Sequence, residues 1–419
     1  MKGIFKPGKV LIPKDDIDLM KWSVVACDQY TSEPDYWDEV LNLVGDSPST
    51  VNITLPEIYL EKEDVGQRIK NINSSMSNYL EQGIFREVEG YILLERELEN
   101  KKIRRGLIGV CDLEAYDFSP DSQSLIRATE GTILERIPPR LAVRENARLE
   151  SPHIMMLIDD PEKTVIESAA ANKDSFETLY DFPLMMRGGR VTGYLVSPAA
   201  ESEIDSALNA LSDKSRFESY YNVSEKGVLL FSVGDGNHSL ATAKTSYENL
   251  KKQLPAGDAQ LEMARYAMVE VVNIHDLSLE FEPIHRVLFD TDAEKLINEL
   301  KREFTVSNNG DGQRIEYIHA GGNDILFIKN PDANIAVGTL QGFLDRYMKT
   351  HGGRIDYIHG DDIVKELGRQ PNNIGFLLPP MGKDELFKTV IVDSVLPRKT
   401  FSMGHANDKR FYFECRLIK

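Results

Sequence analysis

The stretch "FSVGDGNHSLATAK", residues 231–244, decides how this chain is read. A short apolar run ends at Val233, Gly234 and Gly236 bracket Asp235, and Asn237, His238 and Ser239 precede the Ala-rich Leu240–Lys244. A strand that ends in glycines before a helix exposes the helix's first backbone N–H groups. Those groups lack intrahelical partners and lie at the positive end of the helix dipole. A phosphate or carboxylate suits that place, and a tight turn capped by Asp235 or Asn237 is the other arrangement the residues allow. Asp235 repels a bare anion, so it reads as a metal ligand, an orienter of His238, or the base for a hydroxyl nucleophile. Neither G-x-x-x-x-G-K-[ST] nor G-x-S-x-G occurs here, which excludes a P-loop and a nucleophile elbow.

Outward from this motif, strand-like and helix-like segments alternate. Extended apolar runs occur at Tyr91–Glu95, Arg105–Cys111, His153–Ile158, Gly193–Val196, Gly227–Ser232, Tyr266–Val272 and Asn323–Ile328. Helical periodicity occurs at Asp35–Val44, Val65–Gln82, Ser202–Leu211, Leu240–Gln253, Ala293–Glu303 and Leu340–Thr350. The order predicts a mixed α/β (α+β) protein. Asp213–Ser219 reads as a linker, Lys251–Gln260 as a surface loop, Ser307–Asp324 as a hairpin region, and Arg410–Leu417 as a closing strand. We therefore expect an N-terminal α/β region, 1–212, and a C-terminal one, 213–419, that carries the motif, with a shared site left open.

The charge balance narrows the partners. Of 419 residues, 49 are Lys or Arg and 67 are Asp or Glu, a formal net charge of −18. Such a surface repels nucleic-acid backbones and anionic lipids, and no dense basic run offsets it. Cys27, Cys111 and Cys415 form no paired spacing, which excludes a disulfide framework and the usual zinc knuckle. No 18-residue apolar stretch exists, and the N-terminal apolar runs are too short for a signal peptide. The expectation is a cytoplasmic protein with a small-molecule substrate, no nucleic-acid or membrane partner, and a homodimer left open.

Four further stretches carry candidate chemistry. Arg136, Arg140, Arg144 and Arg148 recur every four residues, beginning a helix near Pro138 and Pro139. They form either a solvated face paired with Glu135, Glu145 and Glu150 or a clamp for a phosphorylated ligand. Glu130 just ahead of them is a candidate base or metal ligand. His285 and Arg286 follow Pro283, which places them at a loop edge, and Arg398 and Lys399 follow Pro397. Asp28, Gln29 and Tyr30 close an apolar strand, where polar residues of α/β proteins line ligand crevices. None of the eight histidines has zinc-site spacing, so a magnesium ion on Asp235 and Glu130 is the metal expected.

Together these stretches resemble the DUF1015 family of bacteria and archaea. Its D-G-H-H-R hallmark is matched by Asp235-Gly236-Asn237-His238-Ser239, its H-E-x-T segment by Thr129-Glu130-Gly131-Thr132, and its P-x-H-R segment by Pro283-Ile284-His285-Arg286. Its P-K-S/T-x-F segment is approximated by Pro397-Arg398-Lys399-Thr400-Phe401, and its P-Y-D by Ala26-Cys27-Asp28. The hallmark is in turn similar to the phosphate-binding G-x-x-R element of the ParB/sulfiredoxin fold, which includes free-serine kinases. The resemblance implies a ParB/sulfiredoxin-like nucleotide-binding core with added α/β elements. It also implies a phosphoryl-transfer enzyme acting on a small, serine-like hydroxyl metabolite with ATP or ADP and magnesium. Asp235, His238 and Glu130 would be catalytic. Gly234, Gly236, Asn237, Ser239, Arg140, Arg144, His285, Arg286 and Lys399 would hold phosphate or nucleotide, and Asp28, Gln29 and Tyr30 the substrate. A phosphohydrolase and a non-catalytic nucleotide-binding regulator are the alternatives. Ser239 stands where the pattern has arginine, which leaves Lys244, Arg286 or one of Arg140–Arg148 to neutralise the phosphate.

Overall fold

A computed structural model describes residues 3–307 and 309–419. The chain divides into two compact units: Met1–Leu279 with Gly404–Lys419, and Glu280–Met403. The expected junction at 212/213 falls inside the first unit. There, residues 214–219, read as a linker, begin the helix Lys214–Tyr221, which is capped by the Asp213 side chain accepting from the Arg216 N–H.

The first unit is built on a mixed ten-stranded sheet. Its strand order is Glu177–Pro183, Arg190–Leu195, Ile92–Glu97, Ile103–Asp112, Tyr266–Asn273, Met155–Ile158, Phe231–Asp235, Ile126–Ala128, Tyr116–Asp117, with Phe5–Lys6 added beside Ile103–Asp112. The central strands are buried on both faces because helices and loops cover both, as the continuous burial of Met155–Ile158 and of residues 267–273 shows. The motif strand begins at Phe231, four residues later than the apolar run from Gly227 suggests. Gly227 lies against the Gln123 backbone instead, where a Cβ would meet the Gln123 carbonyl at 2.2 Å. Phe231–Asp235 runs parallel to Ile126–Ala128 and antiparallel to Met155–Ile158. The pairing shifts register between Val233 and Asp235, which lets the strand end turn away from its neighbour.

The closing strand is largely replaced. Only Arg416–Leu417 pairs, with Leu149–Glu150, while Phe411 and Cys415 make single bridges to Val25 and Leu11. The segment is instead threaded through the core: Phe411, Tyr412, Phe413 and Cys415 are buried. The Trp22 indole donates to the Phe413 carbonyl at 2.8 Å, and the Ala26 and Tyr412 amides bond across it. The apolar alternation that reads as a strand is thus satisfied by insertion between elements.

The second unit holds a seven-stranded antiparallel sheet, Val306–Ser307, Gly322–Ile328, Gln313–His319, Ile374–Leu377, Phe281–Phe289, Arg354–His359, with Phe401–Met403 against one end of Phe281–Phe289. The expected hairpin is there as Gln313–His319 paired with Gly322–Ile328. His285 and Arg286 sit in the middle of Phe281–Phe289 and are almost fully buried, not at a loop edge. Pro283 faces Phe401 across the short added strand and does not end its own. Among the described residues no helix is long and apolar enough to cross a membrane.

Candidate functional site

The motif is a strand-to-helix turn with an open helix end. Gly236, at φ +78°, is the residue before the helix Asn237–Lys251, and no side chain caps that helix. Glycine is required twice over: the left-handed backbone disfavours a side chain, and a Cβ would lie 3.0 Å from the Ile154 Cα. Asp235 does not cap the helix; its Oδ1 accepts from the Gly236 N–H at 3.0 Å. Asn237 donates to Thr129 Oγ1 and the Val233 carbonyl, both at 3.2 Å, and so ties the turn to the neighbouring strand. No side chain accepts from the first-turn amides, an arrangement that suits an anion.

Lys409 is the cation beside this turn. Its Nζ lies 3.6 Å from Asp235 Oδ2, with both side chains largely buried, and Oδ2 has no hydrogen-bond partner. The cations expected from sequence have partners of their own, although Arg140 and Arg136 also lie near enough to His238 to act on it. Lys244 donates to the Leu113 carbonyl and pairs with Glu248. Arg140 is paired with Glu57 and Arg144 with Glu150. Arg286 belongs to the second unit, where it donates to Gln341 and to the carbonyls of Lys399 and Arg398. His285 and Lys399 are also in that unit; His285 bonds Asp361 at 3.0 Å, and Lys399 is exposed at φ +57°.

His238 is half-buried, and its pKa is pushed down to about 4 by burial, then by Arg140 and Arg136. Its Nε2 accepts from the Ile133 N–H at 3.3 Å, which leaves the proton of the neutral ring on Nδ1. With its pKa held that low, the ring at neutral pH is a hydrogen-bond donor without a charge. Glu130 is half-buried next to Thr129, whose hydroxyl donates to the Val233 carbonyl at 2.6 Å.

A second polar group gathers beside Lys409. Asp28 accepts from Gln29 at 3.0 Å and lies 3.9 Å from His153 Nε2. Burial opposes its ionisation, but His153, the Gln29 amide and Lys409 outweigh it and hold the carboxyl below the usual range. His153 Nδ1 bonds the Tyr412 hydroxyl at 2.7 Å, and that hydroxyl also accepts from the Cys27 amide. Tyr30 is engaged differently, with its hydroxyl donating to Asn407 and its ring stacked on Tyr36 at 3.6 Å. His153, Lys409 and Tyr412 were missed by sequence reasoning. The available signal was the Lys409–Arg410 doublet directly ahead of the aromatic run Phe411–Phe413.

Beneath the site lies a buried ionic network. Arg410 pairs with Glu270 and Glu414, Arg104 lies 3.9 Å from Glu270, and Tyr180 donates to Glu414. Arg96 donates to the carbonyls of Gly188, Asn407 and Lys409. Burial, then Arg104, push its pKa down to about 9. The network anchors the segment that carries Lys409 and Tyr412.

Next to the helix end opens a cavity of about 140 Å³, lined in part by Ser239, Thr242, His153 and Tyr412. Asp235 and Glu130 do not build a magnesium site from protein groups alone. Asp235 faces an ammonium group, and among the described residues no three His, Cys, Asp or Glu side chains converge as ligands.

Comparisons with known proteins bear on the family alone. Among curated proteins none matches. Among solved structures, SbnI from Staphylococcus aureus, with its C-terminus truncated, is 10% identical with a TM-score of 0.36, covering 71% of this chain and 83% of that one. Variants of a free serine kinase in complex with AMP and with ADP are each 8% identical, with TM-scores of 0.39 and 0.38, covering 75% of this chain and 92% of theirs. The family of proteins of unknown function DUF1015 matches residues 5–347, and the chain belongs to that family.

Proposed function

We propose that the first unit transfers the terminal phosphoryl group of a nucleoside di- or triphosphate to the hydroxyl of a small metabolite. One observation carries this reading: an uncapped helix end at Gly236 stands beside a carboxylate oxygen, Asp235 Oδ2, that faces Lys409 at 3.6 Å and has no hydrogen-bond partner. Phosphoryl transfer asks for positioned positive charge around the phosphate and a group that takes the hydroxyl proton. The amides of the first turn and Lys409 supply the first, and Asp235 the second. As the hydroxyl oxygen bonds to phosphorus, the bridging P–O bond breaks and the nucleotide leaves one phosphate shorter. The hydroxyl proton passes to Asp235. Neutral His238 donates its Nδ1–H and adds no charge. Magnesium accompanies the nucleotide phosphates as part of the substrate.

The test follows phosphorus by NMR in mixtures of the protein, ATP or ADP, magnesium, and a panel of hydroxyl compounds that includes free serine. A new phosphomonoester signal that Asp235→Asn abolishes supports the reading. Inorganic phosphate alone makes the protein a phosphohydrolase. Tight nucleotide binding without turnover makes it a nucleotide-binding regulator and sinks the catalytic assignment.

A further inference from the structure

The cavity beside the helix end is a different kind of space from the phosphate site. Its apolar lining comes from Ile53, Leu55, Leu60, Met76, Val143 and Leu149. The charges on its wall cancel in pairs, Arg140 with Glu57 and Arg144 with Glu150. Three of its hydroxyls already donate to the backbone: Thr54 to the Thr50 carbonyl, Ser151 to the Glu414 carbonyl, and Thr242 to the His238 carbonyl. Glu150 is saturated by Arg144, Arg416 and the Met268 amide. Away from Ser239, a polar group entering such a space would lose its water and gain few partners. A nucleobase, whose edges need donors and acceptors, is therefore a poor occupant.

Size points the same way. A cavity of about 140 Å³ is close to the apolar void of roughly 150 Å³ that takes up benzene in a well-studied protein. The lining also includes Ser239, in the first turn of the Asn237–Lys251 helix, and His153, which faces Asp28. A molecule seated here would hold its apolar part against the aliphatic side chains and its polar part by Ser239 at the helix end.

We propose that this cavity receives the apolar side chain, up to the size of a phenyl ring, of the hydroxyl compound that accepts the phosphoryl group. The inference rests on the phosphoryl-transfer reading and narrows its substrate class: the acceptor is a hydroxyl metabolite with a branched or aromatic tail, larger than serine.

Benzyl alcohol and ethanol, titrated into the full-length protein by ligand-observed NMR, separate the possibilities, with ADP titrated in parallel. Val143→Phe and Ala147→Leu each fill the cavity from its wall, and circular dichroism checks that both fold. Saturable binding of benzyl alcohol and not ethanol, weakened at least about tenfold in either folded variant while ADP still binds, supports the proposal. Absent binding, or binding unchanged in a folded variant, overturns it and leaves the phosphoryl-transfer reading intact. If wild-type protein binds benzyl alcohol but not ADP, the phosphoryl-transfer reading falls and with it the acceptor role.

Discussion

Replacing Lys409 with methionine removes the ammonium group and keeps most of the stem. Two unit charges 3.6 Å apart, as Lys409 and Asp235 are, attract by roughly 4–5 kcal/mol at an effective dielectric constant of about 20 and by about 1 kcal/mol in bulk water. With the side chains only 12% and 15% exposed, the site lies toward the first value. A phosphate bound to the helix end competes for the same ammonium, and a charge-assisted hydrogen bond to it contributes about 1.5–3 kcal/mol. Lys409→Met should then weaken ADP by about 10- to 150-fold. Calorimetric titration at low and high salt measures this, and the wild-type affinity should fall more steeply with salt than the variant's. Asp235→Asn separates two roles. If Lys409 serves the phosphate, the loss persists in the Asp235→Asn background. If it only neutralises Asp235, the loss vanishes there, and the phosphate assignment is refuted.

Other consequences follow from the same geometry. Gly236→Ala must place a Cβ on a left-handed backbone, costing about 1–2 kcal/mol, and 3.0 Å from the Ile154 Cα; calorimetry should show a lower Tm and weaker ADP binding together. Because the folded pKa of His238 is pushed down to about 4 from an unfolded value near 6.5, the unfolded chain binds the extra proton between those pH values. Stability should therefore fall on acidification through that window, by roughly 1–2 kcal/mol for a half-buried ring, and His238→Asn should flatten this part of the urea-midpoint profile. Arg410→Met takes from Glu270 and Glu414 the cation they share, leaving only Arg104 beside the first and the Tyr180 hydroxyl on the second, and should cost about 3–5 kcal/mol in chemical denaturation. Gly106→Ala should be severe as well, since its Cβ would lie 2.3 Å from Glu270 Oε1.

Local features of the chain were legible where local physics determines them. The helix Ala293–Glu303 has the bounds its periodicity predicts, and the motif's glycine pair marks the open helix end. Features set by distant contacts were not. His285 and Arg286 follow a proline that reads as a strand break, yet Phe281–Phe289 continues because Pro283 sits where the short strand Phe401–Met403 faces it. The arginines at 136, 140 and 144 could be placed near one another by spacing. Arg144 takes Glu150, one of the partners expected, but Arg140 takes Glu57, 83 residues away. Lys409 was invisible for the same reason: only the fold brings residue 409 to residue 235.

That separation explains the buried charge beneath the site. Asp28, His153 and Asp235 reach the turn from three places in the first 279 residues, but Lys409 and Tyr412 arrive only when the chain returns after the second unit. Backbone bonds at Val25, Leu11 and Leu149–Glu150 and the Trp22 indole on the Phe413 carbonyl tie the returning segment at several points, and the buried charges add to these. Arg410, between Glu270 and Glu414, and Arg96, donating to the carbonyls of Asn407 and Lys409, admit one register. Shifting the segment by one residue would strand these charges in the interior, at several kcal/mol each. The ions buried under the turn are thus better understood as a register lock for Lys409 than as a source of net stability. A hydrophobic replacement of Arg410, Glu270 and Glu414 together should accordingly restore much of the stability lost in Arg410→Met, while leaving ADP binding impaired.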